Sequence, residues 1–363
     1  MTAVYQVQAE GRTYTVTNDP TAIYRVLIVG SVKDEISSRP LDQGVRVEAS
    51  RPDLQVKMSD CGSFVVSGYP EWSFPELATT GYSVTLTIFA GGYRPQSLTI
   101  DIPAQSTFPI TASAVELRRL PVRIQGRVVK VTTDHAPVPG AGIVAVDEPG
   151  SSPAVHTCAL RSPLYFDHAS GLTVRGMPLT AAGPAMQLAV DAPAGTITLH
   201  LNQRTGLAPG EIVACGLDRE REYAVIDSMD PEPSDLAQPG GITLRNGLNH
   251  SLAAGTSVQR VSAGAVATSR TLAEDANAGD GILLLDGLLN VDTVEIADPA
   301  VAKVEYHAVG ALSDPDGFYR LDGAGRVTTL FLNASAAPLH DLTMGWTIDY
   351  GNPVNVLDFS LSP

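Results

Sequence analysis

The chain has 363 residues, 44% of them hydrophobic and 17% charged, a balance that excludes a disordered polymer and allows two or three domains with cores of their own. Its 39 acidic against 24 basic residues give a formal net charge of −15, which argues against a nucleic-acid-binding surface, because such binding draws on Lys and Arg neutralising phosphates. The 33 Gly and 26 Pro are spread along the whole length and no segment keeps helical periodicity for three turns, so the composition predicts an all-β protein.

In chain order, Met1 to Val4 lead straight into alternating sequence with no secretory pattern, and residues 4–16 alternate around Glu10-Gly11 as a hairpin. Thr21 to Gly30 opens a first sandwich, followed by β-rich runs at Val45 to Ala49, Phe64 to Val66, Tyr82 to Phe89, Leu98 to Ile102 and Ala114 to Arg118. Tyr69, Trp72 and Phe74 sit together in an aromatic-poor chain, and are the candidate interface residues on this reading. A second copy of the pattern starts near Leu120: Gly30 precedes Pro40 by ten residues, and Gly126 precedes Pro137 by eleven. This copy leaves the sandwich near Glu148-Pro149-Gly150 and resumes only at Asp314-Pro315-Asp316-Gly317-Phe318-Tyr319. An insertion of this kind is tolerated at a hairpin tip, since loop closure costs only ~0.6 kcal/mol per doubling of length. The domains expected are therefore 1–119, a discontinuous 120–149 with 313–363, and an inserted 150–312.

The insert carries its own repeat. Gly195-Thr196-Ile197-Thr198-Leu199 followed by Glu222-Tyr223-Ala224-Val225 parallels Gly279-Asp280-Gly281-Ile282-Leu283 followed by Glu305-Tyr306-His307-Ala308-Val309, with 28 positions from Gly195 to Tyr223 and 27 from Gly279 to Tyr306. Two related β-units packed as a compact barrel or split sandwich are expected.

Chemistry is less visible. His156, Cys158, Asp167 and His168 are the residues closest to a zinc spacing, but no paired Cys-x-x-Cys or His-x-x-x-His element supports them, and ordinary loop side chains are the expectation. There is no Gly-x-Ser-x-Gly elbow, and Ser151-Ser152 lie in a Pro/Gly linker. Gly140-Ala141-Gly142 reads as a tight turn before the strand Ile143 to Val146, Asp218 to Glu222 as a solvated hairpin, and Asp314-Pro315-Asp316-Gly317 as a hairpin turn in preference to a calcium loop. Cys61, Cys158 and Cys215 are odd in number and scattered, so they are expected to be free thiols of a protein folded in a reducing cytoplasm. No apolar run approaches the ~20 residues that span a bilayer.

The pattern Gly126-Arg127-Val128-Val129, Pro137-Val138-Pro139-Gly140-Ala141 and Asp316-Gly317-Phe318-Tyr319 resembles the carboxypeptidase regulatory-like domain, a transthyretin-like sandwich. The first copy, with Gly30, Pro40-Leu41 and Gly62-Ser63-Phe64, is similar but has Cys61 where the family usually shows Asp or Asn. The resemblance implies two tandem transthyretin-like or Ig-like sandwiches over about half the chain, the second carrying the barrel-like insert, and modules that act as spacers or adhesive units. The insert is similar in phrasing to small β-domains of phage tail proteins. Taken together, these readings predict a non-enzymatic component of a phage tail or tail-like contractile particle, assembled in the cytoplasm with other subunits or copies of itself, with no cofactor, metal, nucleic acid or membrane span. A cell-surface adhesin or carbohydrate-binding module is the alternative, and a hydrolase built around His156, Asp167 and His168 the second.

Overall fold

The computed structural model describes residues 3–9, 12–18, 25–41, 44–59, 61–68, 81–104, 107–132, 134–216, 221–299 and 302–363. The chain divides into two compact units, Met1–Leu120 and Pro121–Pro363. Among the described residues every regular element is a strand.

The first unit contains β1 (Ala3–Ala9), β2 (Arg12–Asn18), β3 (Arg25–Asp34), β4 (Arg46–Ala49), β5 (Leu54–Met58), β6 (Ser63–Gly68), β7 (Tyr82–Phe89), β8 (Gln96–Ile102), β9 (Ile110–Thr111) and β10 (Val115–Leu117). The hairpin expected around Glu10-Gly11 is present as the β1–β2 pair. One sheet runs β10-β3-β6-β5, with β9 also on β3, and the other runs β4-β7-β8. Alternation places Val84, Leu86 and Ile88 of β7 inward against Leu27, Val32, Phe64 and Val66, all fully buried or nearly so. Side chains of this kind contribute about 1.5–3 kcal/mol each when buried, which holds the two sheets face to face.

The second unit begins with β11 (Val122–Lys130) and β12 (Gly142–Val146). It then runs through β13 (His156–Ala159), β14 (Thr173–Gly176), β15 (Leu179–Gln187), β16 (Thr198–Leu201), β17 (Ile212–Cys215), β18 (Glu222–Met229), β19 (Gly240–Leu244), β20 (Ser257–Ala263), β21 (Thr268–Thr271), β22 (Ile282–Leu285), β23 (Thr293–Asp298) and β24 (Lys303–Ala308). It ends with β25 (Ala311–Leu312), β26 (Phe318–Ala324), β27 (Thr329–Ser335), β28 (Leu342–Thr347), β29 (Val354–Val356) and β30 (Phe359–Leu361).

Strands β11, β12 and β25 to β30 repeat the sandwich of the first unit. In both, the opening strand pairs in parallel with the closing strands, β3 with β9 and β10, and β11 with β29 and β30. Val32 N–H donates to Gly62 O and Val128 N–H to Gly317 O, each at 2.8 Å, and Lys33 bridges Pro40 as Val129 bridges Pro137. Gly317 has φ +79°, the left-handed conformation a tight turn before β26 requires, and Asp314 Oδ1 accepts from Phe318 N at 2.9 Å to close that turn. The difference lies at one edge. In the first unit β5 covers the outer edge of β6, pairing Leu54 with Gly68. In the second unit β13 to β24 occupy that place in the chain, and the edge of β26 is met at its equivalent point by Gly281 N–H on Gly323 O at 2.7 Å. A Cβ at position 281 would lie 1.9 Å from Asp322 O, so only glycine allows the approach.

Residues 156–308 form two rings of six strands. Ring 2 is one sheet in the order β15-β20-β17-β18-β19-β16. Its ends meet at the bridge Leu188–Leu201, where Ala189 N–H donates to His200 O at 2.8 Å and Asn202 N–H to Gln187 O at 2.9 Å. Ring 1 combines the sheets β21-β14-β23-β24 and β13-β22, joined by the bridges Leu272–Leu285 and Leu160–Val309. The ladders themselves stay open, so the barrel-like insert is two stitched rings without continuous barrel closure.

The rings are the same unit. A constant offset of 84 positions relates Leu160 to Leu244, Val174 to Val258, Leu188 to Leu272, Ala192 to Ala276, Gly195 to Gly279 and Leu201 to Leu285. The hydrogen bonds follow it: Gly195 N–H reaches Leu248 O as Gly279 N–H reaches Leu164 O, and Asp191 Oδ1 accepts from Ala254 N as Asp275 Oδ1 does from Ser170 N. In sequence, β13 to β18 form the first repeat and β19 to β24 the second, but each ring takes two strands from one repeat and four from the other. The cause is local. Only Met177-Pro178 separates β14 from β15, and a residue before proline is held extended, so the chain cannot turn back and instead carries β15 into the other ring. The matching link bonds to this one, with Gly264 N–H on Pro178 O and Ala267 N–H on Gly176 O, each at 2.8 Å.

Candidate functional site

The interiors of the two rings use equivalent leucines and valines, and the buried cysteines belong to this set: Cys158 stands where ring 2 has Ile242, and Cys215 where ring 1 has Ile296. Burial pushes the Cys158 thiol up to about 12 and Cys215 higher still, so both behave as small apolar side chains. All three cysteines are free, Cys61 being exposed.

Each ring also buries one glutamate at the same strand position, Glu222 on β18 and Glu305 on β24, exposed by 0% and 1%. Charges this deep need several donors. Glu222 accepts from Tyr165 Oη–H at 2.6 Å, Asn249 N–H at 2.8 Å and His250 N–H at 3.1 Å. Glu305 accepts from Tyr165 N–H at 2.7 Å, from His307 Nε2 at 2.8 Å and from His168 Nε2. Tyr165 thus donates to both, through its hydroxyl to one ring's glutamate and its amide to the other's. Burial acts to raise the Glu305 carboxyl, but the histidine hydrogen bonds outweigh it and hold it down to about 2. Burial, and then Glu222, push the Tyr165 phenol well above its ordinary value.

An ionised Glu305 can only accept, so His307 Nε2 carries a proton toward it, and His307 Nδ1 shares a hydrogen bond with Ser162 Oγ at 3.1 Å. The result is a serine, histidine and glutamate in hydrogen-bonded series, the order of groups used in acyl transfer. Ser162 is 1% exposed and His307 0%, which leaves no path for a substrate to the hydroxyl. The network continues outward: His250 Nε2 lies 3.3 Å from Asp322 Oδ2, Arg123 Nε donates to Asp322 Oδ1 at 2.7 Å, and Arg320 Nε donates to Asp322 Oδ2. Burial raises and these three partners lower the Asp322 carboxyl, which settles at about 2. Since Arg123, Arg320 and Asp322 belong to the sandwich strands β11 and β26, the chain of bonds ties the rings to the sandwich.

The residues singled out from sequence are not gathered into one site. His156 Nδ1 lies 2.7 Å from Asp147 Oδ2, Asp167 Oδ1 accepts from Ala278 N at 2.8 Å on the surface, and His168 is buried on Glu305. Each has its own partner, which removes the geometric basis for a hydrolase built on the three together. Among the described residues no group of three or more His, Cys, Asp or Glu is arranged to hold a metal ion. Tyr69, Trp72 and Phe74 lie outside the described residues, as does most of the Asp218 to Glu222 hairpin. Ser162, Tyr165, Glu222, Glu305 and His307 were not singled out from sequence as a site, although the repeated Glu-Tyr phrase marks both carboxylates at an interior strand position.

No family model matches the chain, and no curated protein matches it. Among solved structures it is similar to the shaft pilin SpaA from Lactobacillus rhamnosus GG, at 11% identity and a TM-score of 0.22, over 93% of this chain and 98% of that one. It is also similar to BcpA, the major pilin subunit of Bacillus cereus, at 7% identity and a TM-score of 0.21, over 93% of this chain and 99% of that one. The Bacillus anthracis TIE protein matches at 10% identity and a TM-score of 0.22, over 99% of this chain and 58% of that one. TM-scores this low do not superimpose one fold on another, and nothing about the site is taken from these chains.

Proposed function

We propose that this chain is a non-enzymatic structural subunit that works by contact with other protein chains or with copies of itself. The observation that carries the reading is the closed state of the reactive-looking array found among the described residues: Ser162, His307 and Glu305 are sealed and serve in a brace that fixes the rings on the sandwich. What the described surface offers to a partner is strand edge. Strands β8 and β28 hold equivalent places in the two sandwiches, and each ends its sheet. An end strand presents a row of backbone N–H and C=O groups to which another strand can add.

Two settings fit such a subunit. One is the phage tail or tail-like particle expected from the sequence, assembled in the cytoplasm. The other is a surface appendage or adhesin, the kind of setting in which a shaft pilin works. Fractionation of the source separates them: a detergent-resistant surface fraction favours the second, and co-sedimentation with cytoplasmic particles the first. Self-association is the test of the reading itself. The full chain should form oligomers by light scattering or appear in an isolated assembly, and Thr99→Pro on β8 should weaken that association at least tenfold. A chain that is strictly monomeric at high concentration and absent from every particle of its source overturns the reading.

A further inference from the structure

Strand β28 ends the sheet β25-β12-β27-β28, and its outer edge can be read residue by residue. Ile348 N–H donates to Thr328 O beside β27 at 2.9 Å, and the pairing from Thr329–Thr347 to Ala334–Leu342 runs on without a bulge. In an antiparallel ladder, residues that bond to a neighbour alternate with residues that do not. Leu342, Met344 and Trp346 therefore bond to β27, as Ile348 does, and Thr343, Gly345 and Thr347 turn their N–H and C=O groups to the outer edge. Among the described residues nothing bonds to those outward groups. An edge of this kind is ordinarily blunted by a lysine, a proline, a charge or a bulge. The run Leu342 to Thr347 has none of these, whereas the other end strand, β8, carries Asp101.

The edge is apolar on both faces and acidic at both ends. Toward the interior, Leu342, Met344 and Trp346 pack on the sandwich core but are only half-buried. On the outer face a Cβ at position 345 would lie 2.7 Å from Phe331 Cε1, so the phenyl ring covers the glycine. A strand laid alongside meets apolar side chains on either face. Asp341 and Asp349 stand exposed at the two ends, Asp349 Oδ1 accepting from Gly351 N–H at 2.9 Å. Neither forms an ion pair with a described residue, and from Thr329 to Pro353 the sequence has no Lys or Arg to balance them. A second copy of β28 set against the first about Gly345 would bring Asp341 opposite the copy's Asp349 at each end. Like charges directly opposed destabilise a sheet, so the edge suits a strand of opposite sign better than its own.

We propose that the β28 edge binds an extended segment of another protein, which adds to it as a further strand, apolar at alternate positions and carrying Lys or Arg at its two ends. This rests on the reading of the chain as a contact subunit, and names the partner at one of its edges. Backbone bonds to Thr343, Gly345 and Thr347 hold the added strand, and the stripe of Leu342, Met344 and Trp346 receives its alternate side chains. Asp341 and Asp349 select its ends. The formal charge of −15 over the whole chain draws a basic segment in and repels an acidic one.

The test titrates the full chain with a fluorescent peptide as long as the span from Asp341 to Asp349, valine alternating with threonine and a lysine at each end. Binding should saturate by fluorescence polarisation and be about fivefold or more tighter than that of the same peptide with glutamate ends, a preference that shrinks in about 1 M salt. Proline in place of the threonines removes the amides that reach the edge and should abolish binding. In hydrogen exchange, the amides of Thr343, Gly345 and Thr347 should exchange freely without peptide and slow about tenfold or more with it. Asp341→Asn combined with Asp349→Asn should remove the lysine preference in a folded protein. If that variant fails to fold, the peptide comparisons on the unsubstituted chain decide. No saturable binding, equal binding of the glutamate peptide, or protection at other amides overturns the proposal. Protection of the three amides that grows with the chain's own concentration assigns the edge to a second copy and overturns it too. A chain that assembles yet takes up no peptide overturns this inference alone and leaves the contact-subunit reading standing.

Discussion

Ring 1 and ring 2 share strand order, hydrogen-bond pattern and a buried glutamate, yet they satisfy that glutamate differently. Ring 2 surrounds Glu222 with two backbone amides and the Tyr165 hydroxyl, keeping leucine at 252 and alanine at 224. Ring 1 has His168 and His307 at the equivalent positions, and both donate to Glu305. The difference teaches that the repeat requires a buried carboxylate and not a histidine. The histidines are an addition of ring 1, the ring whose Gly281 meets the sandwich edge, and their presence accounts for the array that mimics a catalytic series.

Removing the carboxylate from ring 1 is the most severe way to break the comparison. Glu305→Ala leaves His168, His307 and the Tyr165 amide without their acceptor in the interior, and should destabilise the second unit by about 3–5 kcal/mol in urea unfolding. Acid should come next. Glu305 and Asp322 are held near 2, below their ordinary values of 4.5 and 3.8, so each stabilises the fold fully above about pH 5. That contribution, about 2–3.5 kcal/mol each, is lost as the pH falls from about 5 toward 2, and a plot of unfolding free energy against pH should decline across that window.

The sandwiches were legible in the sequence because their marks are chemical: Gly62 and Gly317 close turns that need positive φ, and Pro40 and Pro137 sit at matching bridges. The insert's repeat was legible as well, but not the exchange of strands between its copies. Strands β13 and β19 are equivalent sequences, and nothing in their composition says which of β24 and β18 each will join. The two-residue Met177-Pro178 link decides it. Glu222 and Glu305 escaped for another reason: a charged residue in a short strand is ordinarily on the surface, and only the neighbouring ring reveals the donors that make burial affordable. The aromatic segment with Tyr69, Trp72 and Phe74 falls outside the described residues.

The next prediction sharpens the contrast at the sandwich edge. Gly281 and Ile197 are equivalent positions, the first pressed on Asp322 O and the second 51% exposed. Gly281→Ala should cost about 1–3 kcal/mol through overpacking, while Ile197→Ala stays within about 0.5 kcal/mol. The smallest effect is expected at Cys158. Changing it to valine, an apolar side chain nearer to it in volume than the isoleucine ring 2 carries as Ile242, should alter stability by less than about 1.5 kcal/mol and remove a buried thiol without loss of the fold.

The central claim is that Ser162, His307 and Glu305 form a sealed brace and not a reactive site. Incubation of the folded full chain with a fluorophosphonate, followed by peptide mass spectrometry, tests it most directly. The account predicts no adduct on Ser162 at neutral pH, and an adduct formed there in the folded protein would contradict it.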